Sequence, residues 1–192
     1  MKAAIPAPAR MAALISAALL ILACAACREP GNVRRIPVRS STCREIQIIE
    51  RTGPMAADAL AVVDAQGKLA VLSLPHELAE IQDVLISPDK DMALVVSVGE
   101  GHPWINLYRL ADWAAATSPG GEGIEPLLSM DPYPHAWTEI RWRNGREITF
   151  RSSGDYARFD RAARRPGGSA DDSVGAWIWD TTTDTISAAA GR

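Results

Sequence analysis

This chain has little of what an enzyme's site is built from. It has three histidines in 192 residues, His76, His102 and His135, and none has another His, Cys or carboxylate at a metal-ligand spacing. No G-x-S-x-G elbow, H-E-x-x-H pair or Walker loop occurs. The paired carboxylates Asp171-Asp172 and Glu77/Glu80 fall in loop-like stretches and read as solvated. Basic charge is not in excess: 20 Lys and Arg against 23 Asp and Glu give a net charge of −3. Nucleic-acid binding therefore lacks the basic face that phosphate contacts require. The apolar run from Met11 to Ala23 falls short of the about 20 residues a spanning helix needs. No catalytic residue, metal or cofactor is expected, and an enzyme is the least favoured reading.

What is present begins with an address. Lys2 and Arg10 form a positive region ahead of the apolar run, which is broken only by Ser16, and this is the layout of a secretory leader. Small residues and then Cys24, Ala25, Ala26 and Cys27 follow. The stretch Ile21-Leu22-Ala23-Cys24 resembles the lipobox of bacterial lipoproteins. That resemblance implies removal of residues 1–23 and a lipid on Cys24, with Cys27 as the alternative. Ala25 in the position after the cysteine, rather than Asp, implies the periplasmic face of the outer membrane. Without Lys2 and Arg10 the chain keeps 18 basic and 23 acidic side chains, a net of −5. With Cys24 acylated, Cys27 and Cys43 remain and can pair in an oxidising compartment. Residues 28–44 hold Pro, Gly, Ser and five arginines and read as a linker, so that 24–44 is assigned to attachment and spacer. Its arginines can touch anionic headgroups, although a solvated spacer is the simpler reading.

The rest, residues 45–192, reads as one all-β domain. Short strands are expected at 46–50, 59–64, 68–74, 83–87, 92–98, 103–109, 124–129, 138–143, 147–152, 174–180 and 184–188. Turn residues such as Gln66-Gly67, Pro88-Asp89 and Asn144-Gly145 separate them. Leu60 to Val63 and Met92 to Val96 are apolar on both faces, which requires cover on both sides. The segment from Thr138 to Ser152 alternates, and a three-residue loop of Arg143, Asn144 and Gly145 would pair Ile140 with Ile148, with Gly145 left-handed. Ala111 to Ala116 favours a short helix. Residues 152–173 read as an insertion inside a hairpin, with Tyr156, Phe159 and Ala163 at helical spacing over 155–165 and a mobile part near Pro166-Gly167-Gly168.

Two segments carry a second resemblance. Ser87-Pro88-Asp89-Lys90-Asp91 with its following apolar strand is similar to the S-P-D-G-K repeat of TolB-like β-propellers, although no glycine follows Asp89. Trp142 to Ser152, with Asn-Gly-Arg in the turn, resembles a second copy 55 residues on. Residues 174–184 are similar to the next strand and turn. The resemblance implies an antiparallel short-strand meander, propeller-like with about three blades, short of the four or more a closed propeller needs. A β-sandwich is the alternative.

Three surfaces are then candidates for contact: the turn Gly99-Glu100-Gly101-His102-Pro103-Trp104, the stiff loop Asp131 to Trp137 with Tyr133 and His135, and the insertion. Each also reads as a plain connector. Trp177 and Trp179 share one face of a strand, where they can stack on a sugar or fill a core. The function expected is a lipid-anchored binding or scaffold module of the cell envelope that contacts another envelope protein or itself. The alternative is a glycan or peptidoglycan binder using Trp104, Trp137, Trp177 or Trp179.

Overall fold

The computed structural model describes residues 30–51, 57–72, 79–99, 102–116, 124–167 and 173–189. The leader, Cys24 and Cys27 lie outside them. The described chain is nearly all β, in three four-stranded antiparallel meanders and one hairpin. Sheet 1 holds β1 (Pro30–Pro37), β2 (Cys43–Arg51), β3 (Ala59–Asp64) and β4 (Leu69–Leu72) in sequence order. Sheet 2 holds β5 (Ala79–Ile86), β6 (Met92–Gly99), β7 (His102–Arg109) and β8 (Leu128–Met130), with helix α1 (Leu110–Ala115) between the last two. Sheet 3 holds β9 (Thr138–Trp142), β10 (Glu147–Ser152), β13 (Gly175–Asp180) and β14 (Thr185–Ala188). The hairpin of β11 (Asp155–Asp160) and β12 (Arg165–Gly167) is inserted between β10 and β13.

The sheets stack face to face, and β6 shows why they must. Its Ala93 and Val95 join the core shared with sheet 1, which includes Ile46, Ile48, Leu60, Val62 and Trp113. Its Leu94 turns the other way, into the core shared with sheet 3 that holds Ile148, Phe150, Tyr156 and Trp179. The apolar run on both faces of this strand is thus a strand covered on both sides. First strands meet along the stack. Arg34 of β1 donates from Nη2 to the carbonyls of Ile81 (3.2 Å) and Gln82 (2.7 Å) in β5. Trp142 of β9 donates its indole N–H to the carbonyl of Leu85 in β5 at 3.0 Å. This serial stacking of meander sheets is the arrangement of propeller blades.

Three expectations are overturned. Residues 30–44 are no spacer: β1 pairs with β2 from Pro30↔Arg51 to Pro37↔Glu45. Pro30 and Pro37 are tolerated because β1 is an edge strand. The 155–165 segment is the β11–β12 hairpin, not a helix. Asp160 Oδ1 accepts from the N–H groups of Ala162 (2.9 Å) and Ala163 (3.0 Å), and Arg164 follows with φ +57°, so the carboxylate closes a turn where a helix would continue. The β9–β10 register pairs Trp142 with Ile148, two residues from the expected pairing, with a bulge before Arg151↔Thr138. A shift of two keeps the apolar residues on one face. Its loop is Asn144, Gly145 and Arg146, closed by Arg143 N–H to Glu147 O at 2.8 Å, and Gly145 is not among the residues of positive φ. The expected helix at 111–116 is present one residue earlier, and Gly67 (φ +83°) does turn the chain at Gln66-Gly67.

The β5–β6 turn explains the missing glycine of the S-P-D-G-K pattern. Lys90 N–H closes on Ser87 O at 2.9 Å, and Lys90 adopts φ +64°, the conformation in which a side chain is disfavoured. Lys90→Gly should raise stability by about 0.5–1 kcal/mol in urea unfolding. A loss of stability would mean that the Lys90 Nζ bond to Arg39 O (3.2 Å) outweighs the backbone strain.

Candidate functional site

The meander order sends β1, β5 and β9 toward one end of the stack, so the turns that follow them, at 38–42, 87–91 and 143–146, gather there. The β13–β14 turn at 181–184 reaches the same end. Between these turns lies a cleft of about 900 Å³, within the range of ligand pockets. Ser40, Ser41, Thr42, Thr181 and Thr182 give it hydroxyls, while Lys90, Arg109 and Arg146 give it cations. Leu107, Leu127 and Leu128 supply apolar wall.

Each turn is fixed by its own side chains. Ser40 Oγ accepts from the N–H of Cys43 at 2.9 Å. Ser87 donates its hydroxyl to Asp89 Oδ1 at 2.5 Å, and Ser87 Oγ accepts the Met92 N–H at 3.0 Å. Asn144 Oδ1 accepts from Arg146 and Glu147, both at 2.8 Å. The third sheet's two turns are joined, because Thr181 donates both its N–H (2.9 Å) and its hydroxyl (2.8 Å) to Arg146 O. Asp180 Oδ1 accepts the Thr182 N–H at 2.8 Å. The bonds from the Thr182 and Thr183 amides hold its carboxyl below the usual carboxylate range, with the nearby Arg146 adding to the effect. Asp89 presses so closely on Gly145 that a Cβ there would stand 2.0 Å from Oδ2. Glycine at 145 permits this approach and does not serve a left-handed turn.

The residues singled out in the sequence lie elsewhere. The end of β6, the start of β7 and the 131–137 loop sit at the opposite end of the stack by strand direction, as does the start of the insertion. Gly99 ends β6 opposite His102, and Glu100 lies outside the described residues. Trp104 is half-buried on β7. Tyr133 is exposed, and the His135 ring nitrogen Nδ1 lies 3.0 Å from Ser153 Oγ, so the loop is tied to the insertion's root. Trp137 is not a surface residue. It is buried, stacked on Phe150 with centroids 3.6 Å apart, and donates its indole N–H to the Tyr156 hydroxyl. Trp179 is fully buried, donating to Asp184 Oδ1 at 3.0 Å, and Trp177 packs on Tyr156. Glu80 lies exposed on β5, whereas His76, Glu77, Asp171 and Asp172 lie outside the described residues. Among the described residues no three His, Cys, Asp or Glu side chains stand together as metal ligands. None of the described helices is long and apolar enough to cross a membrane. The cleft residues were missed because serines, threonines and arginines in turns look alike wherever they fall. The only available signal was that two of the turns shared a repeat pattern.

Cys43 opens β2 with no exposed surface, and its thiol donates to Glu45 O at 3.6 Å. Burial pushes the thiol up to about 11, which removes the reactive thiolate at neutral pH. Its expected partner Cys27 lies outside the described residues. Native protein at pH 8 should leave Cys43 unmodified by iodoacetamide, and denatured protein should modify it. Resistance in denaturant without reductant would instead mark a disulfide.

No family model and no curated protein matches the chain. Among solved structures it resembles an uncharacterized protein from Listeria monocytogenes EGD-e, with 14% identity and a TM-score of 0.50 over 83% of this chain and 40% of that one. It also resembles the isopeptidase AtxE2 in its apo form, with 12% identity and a TM-score of 0.46 over 84% of this chain and 31% of that one. The chain thus spans less than half the length of either. At these identities the first likeness is one of fold alone.

Proposed function

We propose that this chain is an exported, lipid-anchored binding module of the bacterial cell envelope, acylated on Cys24, that holds an acidic, extended segment of another envelope protein in the turn-lined cleft. The observation that carries this reading is the cleft's balance of groups. Lys90, Arg109 and Arg146 line it with five hydroxyls. Of its two carboxylates, Asp89 accepts from the Ser87 hydroxyl and from the Asp91 N–H. Hydroxyls and guanidinium groups on turns held by their own hydrogen bonds suit carboxylate recognition. The TolB-like resemblance of the two turns agrees with blades that present a binding end. Binding rather than catalysis is the reading, since the cleft lines up no nucleophile with a base.

The glycan alternative is weakened by the burial of Trp137 and Trp179. Ring closure by self-association is weakened by the end faces: the outer face of sheet 3 carries Arg141, Glu147 and Arg151, a poor match for the apolar outer face of sheet 1. A photo-crosslinker placed at Thr182 in whole cells should yield an adduct with an envelope protein, and Arg109→Glu with Arg146→Glu should reduce it at least tenfold. An adduct indifferent to those reversals, or none, would sink the cleft as the site. The mass of the N-terminal peptide from envelope protein tests acylation separately.

A further inference from the structure

Among the described residues, the outward face of sheet 1 gathers three of the exposed large apolar side chains. Register places Val33, Ile49, Val63, Leu69 and Val71 on it, together with Gln47 and Glu45, around the buried Ala59 and Ala61. Val33, Leu69 and Val71 are 37%, 53% and 59% exposed. Arg35 shares the face, with its side chain 65% exposed and only a 3.6 Å contact to Glu45. The corresponding face of sheet 3 is instead charged, with Arg151 and Glu139 3.8 Å apart.

Charge is distributed the same way. Residues 30–72 hold six basic and four acidic side chains, a net of +2, whereas residues 73–192 hold eleven and eighteen, a net of −7. The sheet with the exposed apolar face thus lies in a basic stretch that precedes an acidic remainder. Position supplies the third argument, and it rests on the reading of Cys24 as the lipid site. Five residues, 25–29, separate Cys24 from the first residue of β1. At about 3.5 Å per residue they reach at most about 20 Å. A chain so tethered cannot hold sheet 1 far from the bilayer.

We infer that the outward face of sheet 1 docks on an anionic lipid surface, with Val33, Leu69 and Val71 entering the headgroup layer while Arg35 meets the lipid phosphates. Apolar side chains beside an exposed arginine suit an interfacial binding surface, and juxtamembrane cations add electrostatic attraction to anionic leaflets.

The test uses the chain from Ala25 to Arg192, which retains every described element and has no Cys24, so it stands whether or not acylation is confirmed. It should cosediment with phosphatidylglycerol vesicles at low salt, at least tenfold more strongly than with phosphatidylcholine vesicles. Val71→Glu should weaken binding at least tenfold, and Val33→Glu, on the opposite edge strand, should do the same. Both positions are exposed, and unchanged unfolding midpoints would show that the fold is intact. No preference for phosphatidylglycerol, or binding untouched by both variants, overturns the inference. So does a lipid-free dimer that Val71→Glu dissociates and vesicles do not compete with, because the occupant is then a second copy.

Discussion

Tyr156→Ala is expected to cost about 3–5 kcal/mol of stability, read as a lowered urea midpoint at unchanged slope. The residue belongs to the insertion, yet it is fully buried. Its ring stands edge-on to Phe150 (5.1 Å) and Trp137 (5.9 Å), and its hydroxyl accepts the Trp137 indole N–H. Truncation opens a cavity and orphans that donor together, and burial gives the orphan no water to turn to. Tyr156→Phe removes only the acceptor and should cost about 1–3 kcal/mol. Arg158→Ala, two residues on with a side chain 82% exposed, should stay within about 0.5 kcal/mol. The hairpin is further pinned by Arg165 to the buried Asp131 (2.8 Å from Nε) and by Arg164 to Ser129 O (2.7 Å) and Asp184. Deletion of residues 155–170 should therefore unfold the domain, although the segment lies within an insertion between two strands of one sheet. A Tyr156→Ala midpoint equal to that of Arg158→Ala would show that the hairpin contributes little to stability.

Gly145→Ala should cost about 2–3 kcal/mol, at the upper end of overpacking effects, because the new methyl meets Asp89 Oδ2 and Cγ. A carboxylate could usually swing aside. This one is held by the Ser87 hydroxyl and accepts from the Asp91 N–H at 3.4 Å. Asp89→Ala alone should cost about 0.5–1.5 kcal/mol through those bonds. In the Asp89→Ala background, Gly145→Ala should cost less than about 1 kcal/mol, a non-additivity expected only of groups in contact. Additive costs would mean that the two turns do not touch, and that the cleft between them is not a fixed shape.

The parts of this fold that were legible in the sequence were those dictated locally. The apolar doublet faces of β6, the turn at Gln66-Gly67 and the alanine-rich α1 each carry their cause within a few residues. β1 was not legible, because its stability comes from Arg34 reaching carbonyls of residues 81 and 82 and from Ile36 packing in the shared core. Its prolines and arginines, met in order, describe a spacer equally well. The helical spacing of Tyr156 and Phe159 misled for a related reason. Pairing in that hairpin is irregular between Asp155 and Asp160, so the strict alternation of a strand was absent. Trp137 looks like a surface aromatic because prolines lie close before it, and only the arrival of Phe150 from β10 and Tyr156 from β11 buries it. The cleft was the least legible feature. Its residues come from turns up to 142 positions apart, Ser40 and Thr182 among them, and nothing in either neighbourhood names the other.

The unequal ends of the stack also govern how far it can propagate. Linear growth requires that each added unit present a fresh face like the one just covered. Here one terminus is apolar, through Val33, Leu69 and Val71, and the other is closed by Arg141, Glu147 and Arg151. An encounter through sheet 1 therefore consumes the adhesive end and exposes a charged one, which acts as a chain terminator much as polar caps do in repeat arrays. Assembly from this surface stops after one event and has no route to a filament.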